Sequence, residues 1–436
     1  MAASSDMPQA AREAGSTPAQ RAGGQGGAPQ RPPAHMKILM VTSSYPKFPG
    51  DVTAPFVESI ARSVAGRGHA VHVVLPHHPD LRRGREEPVR FFPYRYAPRA
   101  SWSGWGYAES LHADVRVRPE AWLLAPLAAL ALRAEVARRL REEHYDVVHA
   151  HWLVPNAGLV AGIVRAHHTP FVVSVHGSDV FLAERLRLAR LLARRAFAAA
   201  GAVTACSADL QRRVLALGAH RPRIVPYGVD VDRFSPLRAD RTLRARWEIP
   251  AGATMVLAVG RLVAKKGFTH LVEAARRVED VHVVVAGEGD LRPALEEQAR
   301  GAGKRVHFVG ALDRETVARA LAAADVVAVP SVVDAAGNVD GLPNTVLEAL
   351  ASGRAVVASR VAGIPEVVED GVTGLLVAAG DAEALAGALR RLARDPAERE
   401  RLGREARARA TQRHGWDGAA RSFEECYAQA AALDAG

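Results

Sequence analysis

Short apolar runs alternate with segments of helical periodicity along most of this chain. Apolar runs of about four to eight residues bounded by turn residues predict buried strands, and apolar residues that recur every three or four positions predict helices between them. This alternation predicts a doubly wound α/β fold. The predicted strands form two series, KILMVTSS, AVHVVLP, DVVHAH, FVVSVHG, AVTACS and RIVPYG, then TMVLAVG, VHVVVAG, RVHFVG, DVVAVP, AVVAS and TGLLV.

The second series starts after a polar helix that follows Phe234 and Pro236. Because 436 residues exceed what one hydrophobic core usually holds, we expect two α/β domains, residues 36–236 and residues 237–436, with the last helix crossing back to the first domain. Residues 1–35 are rich in Ala, Gly, Pro, Gln and Ser and are predicted to be a disordered tail. They show no apolar run followed by a cleavage site, so a signal peptide is not expected.

The composition favours a protein of the reducing cytoplasm. Its two cysteines, Cys206 and Cys426, are too few for a disulfide framework and match no metal-ligand spacing, so both are expected to be packing residues. The apolar stretch AWLLAPLAALAL, residues 121–132, is shorter than the roughly 20 residues that a membrane-spanning helix needs. Because it continues into a charged helix, it is predicted to be a buried helix of the first domain.

The stretch PSVVDAAGNVDGLPNTVLEALASGRAVVASRVAGIP, residues 330–365, carries the strongest indication of function. It follows an apolar run and predicts a loop, a helix over residues 342–351 and another strand. The free N–H groups at such a helix start favour an anion. Asp340 and Glu348 flank the helix start, where two carboxylates in one cleft could accept hydrogen bonds from sugar or ribose hydroxyls. The alternative is that Asp340 caps the helix and Glu348 is solvated.

Within this stretch, DGLPNTVLEALASGRAVVAS resembles the signature of glycosyltransferase family 4, retaining enzymes that use a nucleotide-activated sugar. The resemblance covers nearly all of residues 36–430 and implies the GT-B architecture, in which two α/β domains face a central cleft. In that family one acidic residue contacts the donor sugar and another contacts the nucleotide ribose. The resemblance gives these roles to Asp340, which replaces the usual Glu, and to Glu348. It also assigns to the donor three residues at the helix start, Asn344, Thr345 and Val346.

Two cations occupy the turn after the first strand of the second domain. The sequence AVGRLVAKKG places Arg261 and Lys266 where they could neutralise a diphosphate, and a solvated surface position is the alternative for any single lysine. The resemblance makes Arg261 and Lys266 ligands of the donor phosphates and includes Gly260 in the donor site. Lys265 is then expected to be their solvated neighbour.

The next strand ends in AGEGDLR, which contains only the first two glycines of a dinucleotide-binding fingerprint. Arg292 stands where the third glycine would let helix and strand pack closely, which argues against a nicotinamide dehydrogenase. The resemblance places Gly287 and Glu288 at the rim of the nucleotide pocket and the backbone around Val309 at the base.

Candidate residues of the first domain follow its strands. Gly50 lets the backbone approach a ligand, and the resemblance includes it among the donor residues. Asp51 replaces a second glycine there and is expected to turn toward the acceptor, with a turn-and-cap role for both residues as the alternative. His176 ends a buried strand and matches the family's cleft histidine, which touches the transferring sugar. His151 and Trp152 are candidates for the acceptor side, with core packing as the alternative.

The excess of basic charge lies in the first domain. Residues 36–236 contain 27 Lys and Arg against 17 Asp and Glu, whereas residues 237–436 contain 27 against 28. One predicted helix interleaves leucines with five arginines, Arg185, Arg187, Arg190, Arg194 and Arg195. This basic amphipathic pattern predicts contact with an anionic membrane surface, and an ordinary solvated helix face is the alternative. Nucleic acid is not an expected partner, because no recognised binding motif accompanies the charge.

The residues and the resemblance together predict a retaining, metal-independent glycosyltransferase. It would move a hexose from a UDP-sugar or GDP-sugar to a hydroxyl of a glycan or lipid-linked acceptor, in cell-surface polysaccharide or glycolipid synthesis. No cofactor is expected, and the location is the cytoplasm, peripherally at the inner face of the membrane. One alternative is a sugar-nucleotide epimerase of the same architecture. Departures from the family pattern at Asp340, Asp51 and Tyr227, where Asn is usual, leave a non-catalytic sugar-nucleotide-binding protein as another.

Overall fold

The computed structural model of the chain describes residues 35–51, 53–83, 89–97, 105–107, 111–112, 116–117 and 119–434. The tail expected over residues 1–35 lies outside the described residues, apart from residue 35. Two parallel sheets, one of seven strands and one of six, organise the described residues.

The described residues in the first half of the chain contain nine strands, seven of which form the first sheet. These strands are β1 (Lys37–Val41), β2 (Ala70–Pro76), β3 (Val89–Tyr94), β4 (Leu111–His112), β5 (Arg116–Val117), β6 (Val147–His151), β7 (Phe171–Val175), β8 (Ala202–Ala205) and β9 (Arg223–Ile224). Among the described residues, β4 and β5 pair only with each other, and the other seven strands form a parallel sheet in the order β3-β2-β1-β6-β7-β8-β9. The order reverses direction beside β1, which places a crevice at the carboxyl ends of β1 and β6.

Helices cover both faces of this sheet. They are α1 (Pro55–Gly66), α2 (Pro119–Glu142), α3 (Gly158–Ala166), α4 (Ser178–Arg185), α5 (Arg187–Ala199) and α6 (Ala208–Ala216). The β1-to-β2 and β6-to-β7 connections run in opposite directions across the sheet, so right-handed crossovers place α1 and α3 on opposite faces. Helix α3 contacts both α2 and α5 and lies between them.

The second sheet contains β10 (Thr254–Val259), β11 (Val281–Ala286), β12 (Val306–Gly310), β13 (Val326–Val329), β14 (Ala355–Ser359) and β15 (Gly374–Val377). All its strands are parallel, in the order β12-β11-β10-β13-β14-β15. The helices of this half are α7 (Thr242–Arg246), α8 (Phe268–Ala275), α9 (Arg292–Ala299), α10 (Arg314–Ala323), α11 (Asn344–Ala351), α12 (Ile364–Val367), α13 (Ala382–Arg394), α14 (Pro396–Arg413) and α15 (Trp416–Asp434). The sheet again reverses order beside its first strand, so a second crevice lies at the carboxyl ends of β10 and β13.

The last helix, α15, packs on the first sheet rather than on the second. It contacts α1 and strands β6, β7 and β8. Its Tyr427 hydroxyl lies 2.9 Å from Nδ1 of His149 in β6, and its Glu424 accepts a hydrogen bond of 2.6 Å from Nε of Arg67 at the end of α1. The chain therefore crosses between the two sheets twice.

The predicted α/β fold class is confirmed, and every strand of the two predicted series is present. The sequence prediction missed β3, whose residues VRFFPY mix apolar side chains with Arg90 and Pro93. Strand β3 lies at the edge of its sheet, where a residue without an N–H is tolerated because one side of the strand has no partner. Both cysteines are free and buried, in agreement with a packing role.

The helix predicted over residues 121–132 is present within α2, but the prediction that it is buried is wrong for one of its faces. Leu123, Leu127 and Leu130 of α2 are 80%, 47% and 65% exposed, whereas Ala128 and Leu132 are buried. The exposed leucines are spaced by four and three residues and therefore share one face of the helix. The apolar composition is nearly uniform around α2, but only one face can pack against the sheet and α3. No helix of the described residues is long and apolar enough to span a membrane.

The arginine-rich segment predicted as one helix is two helices, α4 and α5. They are separated at Leu186, whose φ of −101° and ψ of 125° are extended rather than helical. Leu186 is 41% exposed. The arginines at positions 187, 190, 194 and 195 lie on α5 and are exposed, and Arg185 ends α4.

Candidate active site

A cluster of two lysines and one aspartate lies at the carboxyl end of β13. Oδ1 of Asp340 is 2.9 Å from Nζ of Lys265, and its Oδ2 is 2.5 Å from Nζ of Lys266. Burial disfavours the charged carboxylate, but the two ammonium groups outweigh it and hold the pKa of Asp340 well below its usual range. Lys265, which the sequence predicted to be solvated, is only 8% exposed, so that prediction is wrong.

The Asp340 side chain does not cap the following helix. The residue before α11 is Pro343, whose side chain makes no cap hydrogen bond. The capping alternative is therefore excluded for Asp340, because its carboxylate is taken up by Lys265 and Lys266. The N–H of Val346 donates to the carbonyl oxygen of Pro343 over 3.1 Å, and the N–H groups of Asn344 and Thr345 at the start of α11 can face an anion, as the sequence predicts.

The lysines are held in place by two loops that touch closely. The N–H of Val332 donates to the carbonyl oxygen of Lys265 over 2.9 Å. Gly267 follows the lysines with a φ of +68°, and a Cβ at this position would lie 1.9 Å from the carbonyl oxygen of Pro330. Only glycine fits both the left-handed backbone and this approach.

The donor residues predicted on the neighbouring strand ends are brought together. The side chain of Lys266 lies over Gly260, and a Cβ on Gly287 would lie 1.9 Å from the carbonyl oxygen of Gly260. The N–H of Gly287 donates to the carbonyl oxygen of Gly310 over 2.8 Å, which joins this rim to the end of β12, where Val309 lies. Arg261 is exposed on the same turn, and Glu288 pairs with Arg292 at the start of α9.

Helix α11 presents Asn344, Thr345 and Glu348 to this region. Oγ1 of Thr345 donates to the carbonyl oxygen of Val259 over 3.3 Å and ties the helix start to β10. Oδ1 of Asn344 is buried and has no hydrogen-bond partner among the described residues. Such an atom at the mouth of a crevice indicates a place for a polar ligand. Val346 is fully buried behind the helix start, so only its backbone can face a ligand.

The carboxyl group of Glu348 lies among cations in a half-buried position. Burial raises the pKa of Glu348 to about 7, although Arg314, Lys266 and Arg233 favour its charged form. Arg314 begins α10, and Arg233 lies in the segment after β9. Neither residue is part of a sequence motif that indicates a functional role. They were missed because only the tertiary structure places them beside Glu348.

His176, at the end of β7, is surrounded by aromatic rings. Its ring centroid is 4.8 Å from that of Phe56 and 5.0 Å from that of Trp152. Its Nδ1 is 2.8 Å from the hydroxyl of Tyr227, and its Nε2 is 3.2 Å from Nδ1 of His151. Burial, together with His151, lowers the pKa of His176 well below its usual value, so its ring is neutral.

His151 lies behind His176 rather than on an open acceptor face. It is fully buried, and burial lowers its pKa to about 3. Its neighbour His149 continues inward, with Nε2 2.7 Å from Oγ of Ser174. Trp152 is half-buried and contacts the rings of Phe56 and His176. The structure therefore agrees with the alternative that His151 is a core-packing residue.

Gly50 and Asp51 lie in the loop between β1 and α1. Oδ2 of Asp51 accepts a hydrogen bond of 2.8 Å from the N–H of Lys47, and Oδ1 accepts one of 2.9 Å from Oγ1 of Thr53. Both carboxylate oxygens are thus used within their own loop. Gly50 has a φ of +94°, and a Cβ there would meet no atom of the described residues within 4 Å, so this side of the backbone is open to an approaching group.

The two sheets meet where these residues lie. A Cβ on Gly177 would be 3.5 Å from the N of Gly341, and one on Gly341 would be 2.5 Å from Cδ1 of Leu210 and 2.9 Å from Sγ of Cys206. The turn after His176 is therefore adjacent to the loop that carries Asp340. A cationic crevice, a helix start and two carboxyl groups in one cleft can hold a diphosphate and the hydroxyls attached to it. No group of three His, Cys, Asp or Glu side chains in the described part of the chain is arranged to hold a metal ion.

Two family models match this chain. The model described as Glycosyl transferases group 1 matches residues 239–409, and the model described as Glycosyltransferase Family 4 matches residues 54–233. Each model matches the half of the chain that contains one of the two sheets.

Curated relatives are similar over most of the chain. D-inositol 3-phosphate glycosyltransferase of Xylanimonas cellulosilytica is 36% identical over 70% of this chain and 77% of its own length. The GDP-mannose-dependent alpha-(1-6)-phosphatidylinositol monomannoside mannosyltransferase of Mycobacterium tuberculosis is 30% identical over 87% of this chain and 95% of its own length. Among solved structures, Anabaena HepE in complex with UDP superimposes with a TM-score of 0.70 at 22% identity, covering 89% of this chain and 98% of that chain.

Proposed function

The chain belongs to glycosyltransferase family 4 and has the GT-B fold, and from that premise we propose that it is a retaining hexosyltransferase. It takes a hexose from a UDP-sugar or GDP-sugar and attaches it to a hydroxyl of a glycan or lipid-linked acceptor, in the synthesis of a cell-surface polysaccharide or glycolipid. The observation that carries this proposal is the buried cluster of Lys265, Lys266 and Asp340 beside the open start of α11.

The cluster supplies the charge that a departing nucleoside diphosphate needs. When the bond between the sugar C1 and the diphosphate oxygen breaks, negative charge grows on that oxygen, and preorganised cations stabilise it. Lys266, Lys265 and the exposed Arg261 provide three such cations without a metal ion or cofactor. The acceptor oxygen forms its bond to C1 on the face that the diphosphate leaves, and the departing phosphate oxygen takes the acceptor proton.

The remaining donor contacts follow from the positions of the side chains. Glu348 accepts hydrogen bonds from the ribose hydroxyls, and Asp340 faces the transferring sugar once the diphosphate engages the lysines. Asn344, whose buried Oδ1 has no partner in the described residues, and the N–H groups of α11 contact the donor. The rim formed by Gly287, Glu288 and the backbone at Val309 holds the base, and Gly50 leaves room for the donor from the first domain.

Product analysis with a panel of UDP- and GDP-sugars and candidate acceptors tests this proposal. We expect a new glycoside whose anomeric configuration, read by NMR, equals that of the donor, and unchanged turnover in EDTA. Lys266→Ala should lose about 100-fold or more in kcat. Arg404→Ala, on an exposed face of α14, is the matched loss of a cation and should change nothing. Epimerised nucleotide sugar without a glycoside would establish the epimerase, and donor binding without turnover would establish the binding protein.

The acceptor side carries an exposed surface suited to anionic lipid. Arg187, Arg194 and Arg195 of α5 are exposed, and no ion pair of the described residues involves them. On the other side of α3, α2 exposes Leu123 and its neighbours along one face. We propose that this surface rests peripherally on the cytoplasmic face of an anionic bilayer, from which a lipid-linked acceptor enters. The name of the mycobacterial relative, which acts on a phosphatidylinositol monomannoside, supports a lipid acceptor.

Sedimentation with vesicles tests the membrane contact separately from the transferase. Each basic residue near an anionic surface contributes about 1 kcal/mol, so replacing Arg187, Arg194 and Arg195 by Gln should weaken binding about 100-fold at low salt. Neutral vesicles should bind weakly, and high salt should weaken the anionic case. Equal binding to neutral and anionic vesicles would refute the membrane proposal and leave the transferase proposal untouched.

A further inference from the structure

The ring of His176 is held at both nitrogens by other side chains. The Tyr227 hydroxyl is 2.8 Å from Nδ1, and the two rings stack with 23° between their planes. On the other side, Nε2 is 3.2 Å from Nδ1 of His151, with 17° between those planes. Neither nitrogen of His176 is left over for a substrate, although the residue itself is partly exposed to the cleft.

The hydrogen-bond network favours one tautomer of His176. His151 is fully buried, and its Nε2 has no partner among the described residues. A proton on that nitrogen would be a buried donor without an acceptor, which is rarer in proteins than a buried acceptor without a donor. The proton of His151 therefore belongs on Nδ1, from which it donates to Nε2 of His176. His176 must then carry its own proton on Nδ1 and donate it to the Tyr227 oxygen.

Tyr227 can accept that hydrogen bond through a lone pair of its hydroxyl oxygen. The chain of donors thus runs from His151 through His176 to Tyr227. All these side chains except His176 are buried.

The loop that carries Tyr227 is fixed by the last crossing of the chain. The N–H of Val229 donates to the carbonyl oxygen of His414 over 2.7 Å, and a Cβ on Gly228 would lie 2.7 Å from Cα of Trp416. Tyr227 is therefore placed by the junction between α14 and α15 as well as by its own strand. Its ring also packs on Phe56, with 4.9 Å between centroids.

We propose that Tyr227 is a positioning residue that holds His176 as the Nδ1–H tautomer. Tyr227 thereby fixes the ring of His176, and the turn that follows His176 is fixed against the Gly341 loop. It stands where the resembled family usually has Asn. His176 then acts on the transferring sugar by its fixed position and not as a general base, because both nitrogens are engaged within the protein. The inference about sugar transfer rests on the proposed function, whereas the tautomer does not.

Nitrogen NMR of the full chain labelled with 15N-histidine tests the tautomer directly. His176→Gln identifies the signals of His176 among those of the 17 histidines. In the wild type we expect a protonated Nδ1 and an unprotonated Nε2 that do not change between about pH 6 and pH 8. In Tyr227→Phe, which removes one oxygen, we expect a shift toward the Nε2–H form. An Nε2–H tautomer in the wild type, or an unchanged tautomer in the variant, overturns the proposal.

Kinetics separate positioning from packing. Phe fills nearly the same space as Tyr, so a packing role predicts an unchanged kcat, whereas the loss of one hydrogen bond to His176 should lower kcat about 10-fold with donor KM little changed. A thermal melt shows whether Tyr227→Phe is folded. If this variant does not fold, the nitrogen NMR spectrum of the wild type still shows which tautomer His176 adopts. Unchanged kcat in folded Tyr227→Phe overturns the positioning role. A wild type that transfers no sugar refutes the proposed function and leaves the tautomer result standing.

Discussion

The half-buried carboxyl group of Glu348 should make donor binding depend on pH near neutrality. Burial raises its pKa to about 7, so it is protonated in a large fraction of unliganded molecules at the pH where most carboxylates are ionised. Under the proposed function, the carboxylate accepts a hydrogen bond from each ribose hydroxyl with its two oxygens, whereas protonation turns one of these oxygens into a donor and weakens the pair. Donor affinity should therefore rise as pH rises through about 7.

The size of the effect follows from the ionised fraction. With a pKa of about 7, roughly a tenth of Glu348 is ionised at pH 6 and roughly nine tenths at pH 8. If only the ionised form binds, the dissociation constant falls about tenfold over this interval, which is about 1.4 kcal/mol, and is flat at higher pH. His176 and His151 do not contribute, because burial holds the pKa of each below this range.

Calorimetric titration with UDP-glucose and GDP-mannose measures this dependence. A nucleotide-sugar is the right probe because its diphosphate diester does not titrate in this interval, unlike the terminal phosphate of UDP or GDP. Glu348→Gln should bind more weakly and without pH dependence, whereas Glu400→Gln, the same chemical change on an exposed face of α14, should behave like the wild type. A flat wild-type profile, or a slope that survives in Glu348→Gln, would refute the reasoning.

Three further predictions concern the lysine cluster and its supporting glycine. Lys265→Met and Lys266→Met should each lower kcat by about 100-fold. A wild-type kcat in Lys265→Met would show that Lys265 does not contribute to turnover. Asp340→Ala should keep UDP or GDP binding in calorimetry but lose sugar transfer, while Asp340→Glu should retain activity; equal loss in both would count against contact with the sugar. Gly267→Ala should destabilise the protein in thermal melts by more than Gly303→Ala, by about 2 kcal/mol or more, since both have a similar positive φ but only the first would meet a backbone oxygen. Equal melting temperatures would show that the two loops move apart readily.

Most strands and helices, and their order along the chain, can be predicted from the amino-acid sequence alone. Strand and helix patterns are local, because they depend on which residues recur every two or every three to four positions, and this is why the predicted strands were found. The loop, helix and strand around Asp340 and Glu348 could also be predicted, because they are contiguous in the sequence. A strand at a sheet edge such as β3 shows no clean apolar run and was missed for that reason.

Contacts between side chains that are distant in sequence could not be predicted in this way and are seen only in the folded chain. Lys265 is adjacent to Lys266 in sequence, and nothing local shows that it is buried; that results from the approach of the loop at Pro330 and from Asp340, 75 residues further on. The contact of Tyr227 with His176, the cations around Glu348 and the return of α15 to the first sheet likewise join distant segments. The leucines of α2 are exposed because only one face of this helix packs against the sheet and α3. All these features result from packing between segments that are distant in sequence. The burial and the electrostatic environment of a residue then depend on its contact partner and not on the local sequence pattern.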